Sequence, residues 1–591
     1  MAITYSRSFG LKLSRAVGKD LQGLILMAFI SALLLGGLGS RLAYLQLVEG
    51  ARNQQLAGKN RIRLIPKPPQ RGRILDRKGR TLAGSRLSYS VLVWPIALKH
   101  SKWPETLVRI SQILQVPAAE IQARLERAEY TSPYLLRIAR GLSPAQVTAL
   151  EEYAPELEGV MVDAEVARYY PHGDLAAHVL GYTGELRDDE LERFRSQGYR
   201  LGDVMGQMGL EAALESKLRG EWGGKQVEVN SMGQVAGILG EKAARSGQDV
   251  QVTLDLDLQK AAEDALGKRA GAIVALNPQD GAILAMASRP TFDPNIFSTP
   301  MTEAAWRQLQ GRDHPFVNRA LQSFPPASTF KIVTTAAAIE SGRYSPDTIL
   351  PTYPFLNFGG IQFWEWNQKG FGPLGFPGAM AWSSDTFFYQ IGAEVGGPSL
   401  IEWARRFGFG RRTGVETVAE ETPGLVPDEA WKQKVLGEDW YLGDTINTSI
   451  GQGFLQTSPL QVAMMFAVPA NGGYLVQPHF NLDPDMTPEN WQVSMNLKPV
   501  TLQLLRQGLR QVVRDGTGEA LDVPTLPPTA GKSGTAEDPP RLSHAWFGAY
   551  TPADNPEIVV VAFAENSGGG GSAVAAPMVR QVLETYVQLE K

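Results

Sequence analysis

Leu21 to Ser40 runs for 20 residues without a charged side chain. An α-helix of that length crosses the hydrocarbon core of a bilayer. The expected layout is therefore a cytoplasmic tail over residues 1–20, a transmembrane anchor over 21–41, and a long remainder on the far side. Arg7, Lys12, Arg15 and Lys19, opposed only by Asp20, precede the stretch and suit a cytoplasmic N-terminus. Arg52, Lys59, Arg61, Arg63, Lys67 and Arg71 crowd the other side, so charge bias alone leaves the orientation open. A cleaved signal peptide is the competing reading. The apolar stretch is longer than a usual signal core, and Gly37-Leu38-Gly39 matches an Ala-x-Ala cleavage site poorly, which favours a retained anchor. Its glycines allow a partner helix to approach closely.

A chain of 591 residues is too long for one ordinary domain, and 43% hydrophobic content supports large cores. The net charge of -4 gives no indication of nucleic-acid binding. Without cysteine the chain has neither disulfides nor thiol catalysis.

Three short motifs carry chemistry. Ser328-Thr329-Phe330-Lys331 follows Pro325-Pro326 and opens the apolar run Ile332 to Ile339, which Ser341-Gly342 ends, so a buried helix is expected there. Residues three apart share a helix face, which sets Lys331 beside the Ser328 hydroxyl. A buried ammonium near other cations loses proton affinity, and a neutral Lys331 then serves as general base for a nucleophilic Ser328. Ser383-Ser384-Asp385 precedes the aromatic stretch Thr386 to Tyr389. Ser383 is a candidate proton relay oriented by Asp385, although Ser and Asp also favour plain helix caps. Lys532-Ser533-Gly534-Thr535 lies on a strand expected to pair with Ala545–Tyr550 and Ile558–Phe563. Gly534 leaves one face of that strand bare, where a substrate backbone can lie and pair by strand addition. Lys532 is placed to hold a carboxylate, and the Thr535 amide to join that of Ser328 around an oxyanion. Each motif has a bland reading alone; the three in this order are the parts of a serine acyl-transfer site.

These motifs resemble those of the class B penicillin-binding proteins, and most closely the elongation-type penicillin-binding protein 2 family. The likeness covers nearly the whole chain. Arg71-Gly72-Arg73-Ile74-Leu75-Asp76-Arg77-Lys78-Gly79 is similar to the family's membrane-proximal Arg-Gly-x-Ile-x-Asp-Arg-x-Gly element. Arg168-Tyr169-Tyr170-Pro171, His178 to Gly184, Gly209-Leu210-Glu211 and Leu218-Arg219-Gly220 resemble its non-catalytic module. Trp440, Gly443-Asp444-Thr445 and Ser449-Ile450-Gly451-Gln452-Gly453 resemble a stretch at the rim of its active site, and His544-Ala545-Trp546-Phe547 the strand after its lysine motif. The second motif ends in Asp385, where many relatives, division-type members included, have Asn.

The resemblance implies an α+β fold. Residues 246–591 would form a penicillin-binding, serine beta-lactamase-like transpeptidase domain, an antiparallel sheet flanked by helices with a helical subdomain. Residues 42–245 would form a non-catalytic, dimerisation-like pedestal behind the membrane anchor. It implies a peptidoglycan D,D-transpeptidase, with room for a D,D-carboxypeptidase side activity, acting through a Ser328 acyl-enzyme during lateral wall elongation. Lys331, Ser383, Asp385 and Lys532 would complete the catalytic set, with Ser533, Gly534 and Thr535 lining the substrate. Beta-lactams would acylate Ser328. The implied partners are stem peptides, a SEDS-type glycan polymerase and other elongation-complex membrane proteins, with contact through the anchor and the membrane-proximal pedestal. Because peptidoglycan lies outside the bacterial inner membrane, the catalytic domain is expected on the periplasmic side of a single-pass anchor. Alternatives are a septal, division-type transpeptidase, a beta-lactamase or beta-lactam sensor, and a mainly structural activator of the polymerase.

Some elongation-type relatives carry a zinc site near the second motif built partly from His and Cys. This chain has no cysteine and no histidine between His314 and His479, so no structural metal and no cofactor are expected. Phe355, Phe358, Phe363, Trp364, Trp366 and Phe371 fill that region instead, as an aromatic-packed insert or a wall of the groove; core packing is expected for most of these rings. Further expectations are helices over Leu107–Leu125, Ser143–Tyr153, Leu256–Leu266 and Val579–Glu590, a strand Val250–Leu254 opening the catalytic domain, and a hairpin of Gly271–Leu276 with Ala282–Ala287.

Overall fold

The computed structural model describes residues 9–50, 62–127, 136–186, 188–199, 203–229, 235–298, 306–307, 309–311, 313–417, 421–482 and 491–591. The flanking charges Arg7, Arg52, Lys59 and Arg61 lie outside the described residues. The chain divides into two compact units, residues 1–69 with 221–245, and residues 70–220 with 246–591.

In the first unit one helix spans Phe9–Ala43 and carries the apolar stretch. It starts inside the segment expected to be a tail, because Lys12, Arg15 and Lys19 are good helix formers and nothing between Phe9 and Leu21 stops a helix. Among the described residues it is the one helix long and apolar enough to cross a membrane. The same unit holds an antiparallel sheet of Ile62–Lys67, Gly223–Val229 and Val235–Lys242.

In the second unit, the long strand Thr81–Val93 pairs with Val160–Tyr169 and with Leu136–Arg140. Helices Trp103–Leu114, Ala118–Arg127 and Pro144–Glu152 pack on this ribbon around Ile110, Leu114, Ile121, Leu125, Ile138 and Leu150. The single helix expected over 107–125 is broken where Gln115 adopts a left-handed conformation ahead of Pro117. Ser143 and Gln146 form a capping box at the third helix. Below the ribbon, Glu211 accepts from Arg168 Nε at 2.5 Å and from Arg71 Nε at 2.7 Å, and Arg71 also pairs with Glu215 at 2.7 Å. The strand expected to open the catalytic sheet is only Val250–Gln251, and it pairs in parallel with Ile74–Leu75 instead. Asp76, wholly buried, closes that junction: Oδ1 accepts from the Lys78 and Arg80 amides, and Oδ2 from Arg80 Nε and the Leu256 amide.

The catalytic part begins with α1 (Leu256–Leu266), capped by Asp255, whose carboxylate accepts from the Asp257 and Leu258 amides. Strands β1 (Gly271–Leu276) and β2 (Ile283–Arg289) form the expected hairpin. The nucleophile helix is α2 (Lys331–Glu340), the second motif opens α3 (Asp385–Val395), and α4 (Pro459–Ala470) and α5 (Pro499–Asp515) follow. Strands β3 (Ala530–Ala536), β4 (His544–Thr551) and β5 (Ile558–Ala564) precede the closing helix α6 (Gly571–Leu589). The sheet order is β2-β1-β5-β4-β3, antiparallel throughout.

Side chains alternate across this sheet, and both faces are covered. Val274, Trp546, Tyr550, Val559, Val561 and Phe563 face the core that contains α2 and α4, whereas Ile273, Phe547, Val560 and Ala562 face the core that contains α1 and α6. The strands therefore read as unbroken apolar runs rather than alternating ones. Each large aliphatic or aromatic side chain so buried contributes about 1.5–3 kcal/mol. Every residue of α4 is buried, and its Phe466 ring lies so close to β4 that a Cβ on Gly548 would stand 2.2 Å away. Strand β3 is left at the sheet edge, paired on one side only, with Thr535 exposed.

Candidate active site

The nucleophile turn comes first. After Pro325-Pro326, Ala327 sits at φ +51, a conformation that an L residue adopts at a cost. Residues Ala327–Phe330 form a 3-10 turn that runs into α2, so Ser328 lies one turn ahead of the α-helix proper. The rim segment fixes this turn: the Ala327 amide donates to the Gly451 carbonyl at 2.9 Å, and Thr334 Oγ1 to the Ser449 carbonyl at 2.7 Å. Gly451 admits the contact because it has no side chain; a Cβ there would stand 2.2 Å from the Ala327 oxygen.

Lys331 is fully buried. Its Nζ donates to the Ser383 carbonyl at 2.7 Å and to Asp385 Oδ1 at 2.7 Å, and lies 3.4 Å from Ser383 Oγ. Ser328 Oγ makes no hydrogen bond among the described residues, so the amine expected beside the nucleophile is turned toward the second motif in the free site. Asp385 pairs with Lys331 rather than with the Ser383 hydroxyl it was expected to orient. The Ser383 hydroxyl instead accepts from Lys532 Nζ at 2.9 Å. The three motifs thus meet at one hydroxyl, between two buried lysines.

Lys532 holds its proton weakly. Burial lowers its proton affinity well below the ordinary 10.5, the charge on Lys331 lowers it further, and Asp385 partly offsets both. Its remaining contact is the Ser533 carbonyl at 2.9 Å.

Ser383 sits at φ +56, and the helix cap falls to its neighbour Ser384, whose Oγ accepts from the Phe387 amide. Two contacts bear on the expectations for the third motif. The face of β3 bared by Gly534 is filled by the protein itself: a Cβ there would stand 3.2 Å from the Pro326 oxygen, 3.3 Å from Thr329 Cγ2 and 3.3 Å from Trp546 Cβ. Glycine here lets the nucleophile turn rest on the strand. The Ser533 hydroxyl is hydrogen-bonded to Thr517 Oγ1 at 2.7 Å. Thr535 stays accessible at the edge, where its carbonyl accepts from Gln452 Nε2 at 3.1 Å.

The aromatic insert joins the core only in part: Phe358 and Phe363 pack against it, whereas Phe355, Trp364 and Trp366 are exposed. Phe355–Phe358 and Ile361–Trp364 form a small hairpin; Trp364 at its end and Trp366 just beyond it are 54% and 56% exposed. Phe363 packs on Tyr389, and Phe371 stacks on Trp382 with Trp366 tilted against it. Residues that sequence reasoning missed are Glu365 in this insert and Thr517 after α5. Each acts through contacts more than fifteen residues away in sequence, and no local pattern marks them. Among the described residues no cluster of three or more His, Cys, Asp or Glu is placed to hold a metal ion.

Residues 271–584 match the penicillin binding protein transpeptidase domain, and residues 66–252 match the penicillin-binding protein dimerisation domain. The chain belongs to the class B penicillin-binding proteins. It is 32% identical to the peptidoglycan D,D-transpeptidase MrdA of Acinetobacter baumannii over 94% of this chain and 86% of that protein. The structure of PBP2 from Helicobacter pylori in complex with MreC superposes with a TM-score of 0.79 at 27% identity, covering 90% of this chain and 99% of that one. A chain from a peptidoglycan synthase complex that coordinates polymerization and crosslinking superposes with a TM-score of 0.71 at 34% identity, covering 96% and 99%. In this penicillin-binding protein the serine and both lysines fall within the matched transpeptidase domain, and the Arg71–Glu211–Arg168 cluster falls within the matched dimerisation domain.

Proposed function

We propose that this chain is a peptidoglycan D,D-transpeptidase of wall elongation. The observation that carries the reading is the placement of the Ser383 hydroxyl between Lys331 and Lys532, behind a nucleophile turn that presents Ser328. Ser328 Oγ attacks the carbonyl carbon of the penultimate D-Ala of a donor stem peptide. Lys331 takes the hydroxyl proton, a step for which its ammonium must first give up its own. Ser383 passes a proton to the nitrogen of the departing D-Ala, and the C–N bond breaks to leave the acyl-enzyme. A stem-peptide amine on a neighbouring strand then attacks the ester and restores the Ser328 hydroxyl. Lys532 binds the terminal carboxylate, and the Ser328 and Thr535 amides stabilise the oxyanion. Beta-lactams acylate Ser328 by the same route.

Likeness to MrdA and to PBP2 solved with MreC supports elongation over septation, and likeness to the synthase complex supports a membrane-embedded glycan polymerase as partner. The apolar helix Phe9–Ala43 supports a single-pass anchor, with the transpeptidase domain on the periplasmic side, where the substrate lies. Intact-protein mass spectrometry after exposure to a penicillin tests acylation. A persistent adduct on Ser328 is expected, and rapid loss of the adduct with turnover of the drug favours a beta-lactamase instead.

A further inference from the structure

We propose that Glu365 is a positioning residue for acyl transfer, acting through the second motif; the proposal rests on the transpeptidase reading above. Glu365 lies between two exposed tryptophans yet is only 2% exposed itself. A carboxylate is drawn out of water in that way only where donors replace its hydration. Five donors do so here. Oε1 accepts from the Asp385 amide at 3.0 Å and the Trp366 amide at 3.1 Å. Oε2 accepts from Ser384 Oγ at 2.6 Å, Thr386 Oγ1 at 2.9 Å and the Thr386 amide at 3.0 Å.

Four of the five donors belong to residues 384–386, immediately after Ser383. The first amides of α3 have no intrahelical acceptor, and the Ser384 cap reaches only that of Phe387; the Glu365 carboxylate takes those of Asp385 and Thr386, at the positive end of the helix dipole. On the other side of Ser383, the Trp366 indole donates to the Trp382 carbonyl at 3.0 Å, and the Ser384 amide is tied back to Ala379. Ser383 is thus gripped from both directions by adjacent residues of one insert. The grip matters because Ser383 is held at φ +56, a conformation that persists only where its surroundings impose it. In that conformation its carbonyl receives Lys331 Nζ, its hydroxyl receives Lys532 Nζ, and Asp385 reaches Lys331. Release of the Glu365 contacts lets the loop relax, and the relay hydroxyl leaves its place between the lysines.

The test is acylation of the full-length, detergent-solubilised protein by a chromogenic cephalosporin, resolved into non-covalent affinity and first-order acylation rate. Glu365→Gln puts an amide N–H against backbone donors. It is expected to slow the first-order step roughly 10- to 100-fold, the scale of a misplacement of about 1 Å, with affinity nearly unchanged. The same substitution in a Ser383→Ala background is expected to cause a smaller further loss, since the relay hydroxyl is gone and only the Ser383 carbonyl and Asp385 contacts to Lys331 remain to be disturbed. Trp366→Phe removes the second grip without touching the buried carboxylate, and is expected to give a smaller loss with the same non-additivity, which keeps the proposal testable should Glu365→Gln fold poorly. A wild-type first-order rate among the molecules that react, or losses that multiply in the Ser383→Ala background, overturns the proposal. Failure of the wild-type protein to acylate at Ser328 overturns the transpeptidase reading instead.

Discussion

Lys532 Nζ donates to Ser383 Oγ at 2.9 Å from a position sealed from solvent. Its proton affinity lies well below 10.5 because burial and Lys331 both oppose the charged form. An anion bound at this ammonium supplies the countercharge it lacks, so carboxylate binding and proton uptake are linked. In Ser328→Ala, calorimetric binding of a beta-lactam in two buffers of different ionisation enthalpy should reveal net proton uptake at a pH between the depressed value and 10.5. The matching ester should show none. Lys532→Ala should cost the carboxylate ligand about 1.5–3 kcal/mol of affinity, and the ester less. Equal behaviour of the two ligands argues against this contact.

Gly534→Ala separates packing from substrate seating. A new methyl would press on the Pro326 oxygen and Thr329, so the nucleophile turn shifts and acylation slows by roughly tenfold or more. The loss should be the same for small and bulky beta-lactams. A loss that grows with ligand bulk would restore substrate to that face.

Asp76 offers no face to a partner, since all of its oxygens point inward at Lys78, Arg80 and Leu256. Asp76→Ala should lower stability by about 1–3 kcal/mol through unsatisfied buried donors. Acylation and glycan polymerisation per folded complex should be unchanged. A normal melting curve with reduced polymerisation in the reconstituted pair would assign Asp76 a role in activation.

Burial alone raises the Glu211 carboxyl, and Arg168 and Arg71 overcome that and hold it below its usual 4.5. Folded protein therefore binds fewer protons here than unfolded protein does. The resulting stability is complete above 4.5 and is lost as pH falls through the depressed value. Urea midpoints measured downward from neutral pH should fall more steeply for wild type than for Glu211→Gln. Parallel slopes would show that the Arg71–Glu211–Arg168 cluster does not drive acid unfolding.

Local chemistry made much of the fold legible. The helix expected over Leu256–Leu266 forms residue for residue, and the long apolar strands gave the five-stranded sheet. Ser328, Lys331, Ser383, Asp385 and Lys532 were legible as motifs, and hydrogen bonds link the last four of them. What escaped was decided by distant partners. Val250–Gln251 looks like the first strand of the catalytic sheet, yet pairs with Ile74–Leu75 some 176 residues earlier. Gly534 signals only that a side chain is unwelcome, and the excluded neighbour proved to be the nucleophile turn. Glu365, set among aromatic residues, reads as an ordinary surface acid until the helix Asp385–Val395 is folded against it.

The most direct test of the central claim is the intact mass of the wild-type protein and of Ser328→Ala after incubation with a penicillin, followed by peptide mapping of the adduct. One long-lived acyl group on Ser328 in wild type, and none in Ser328→Ala despite an unchanged melting curve, is the predicted result. Labelling of Ser328→Ala at the wild-type rate, or an adduct mapped to another residue, would contradict the account.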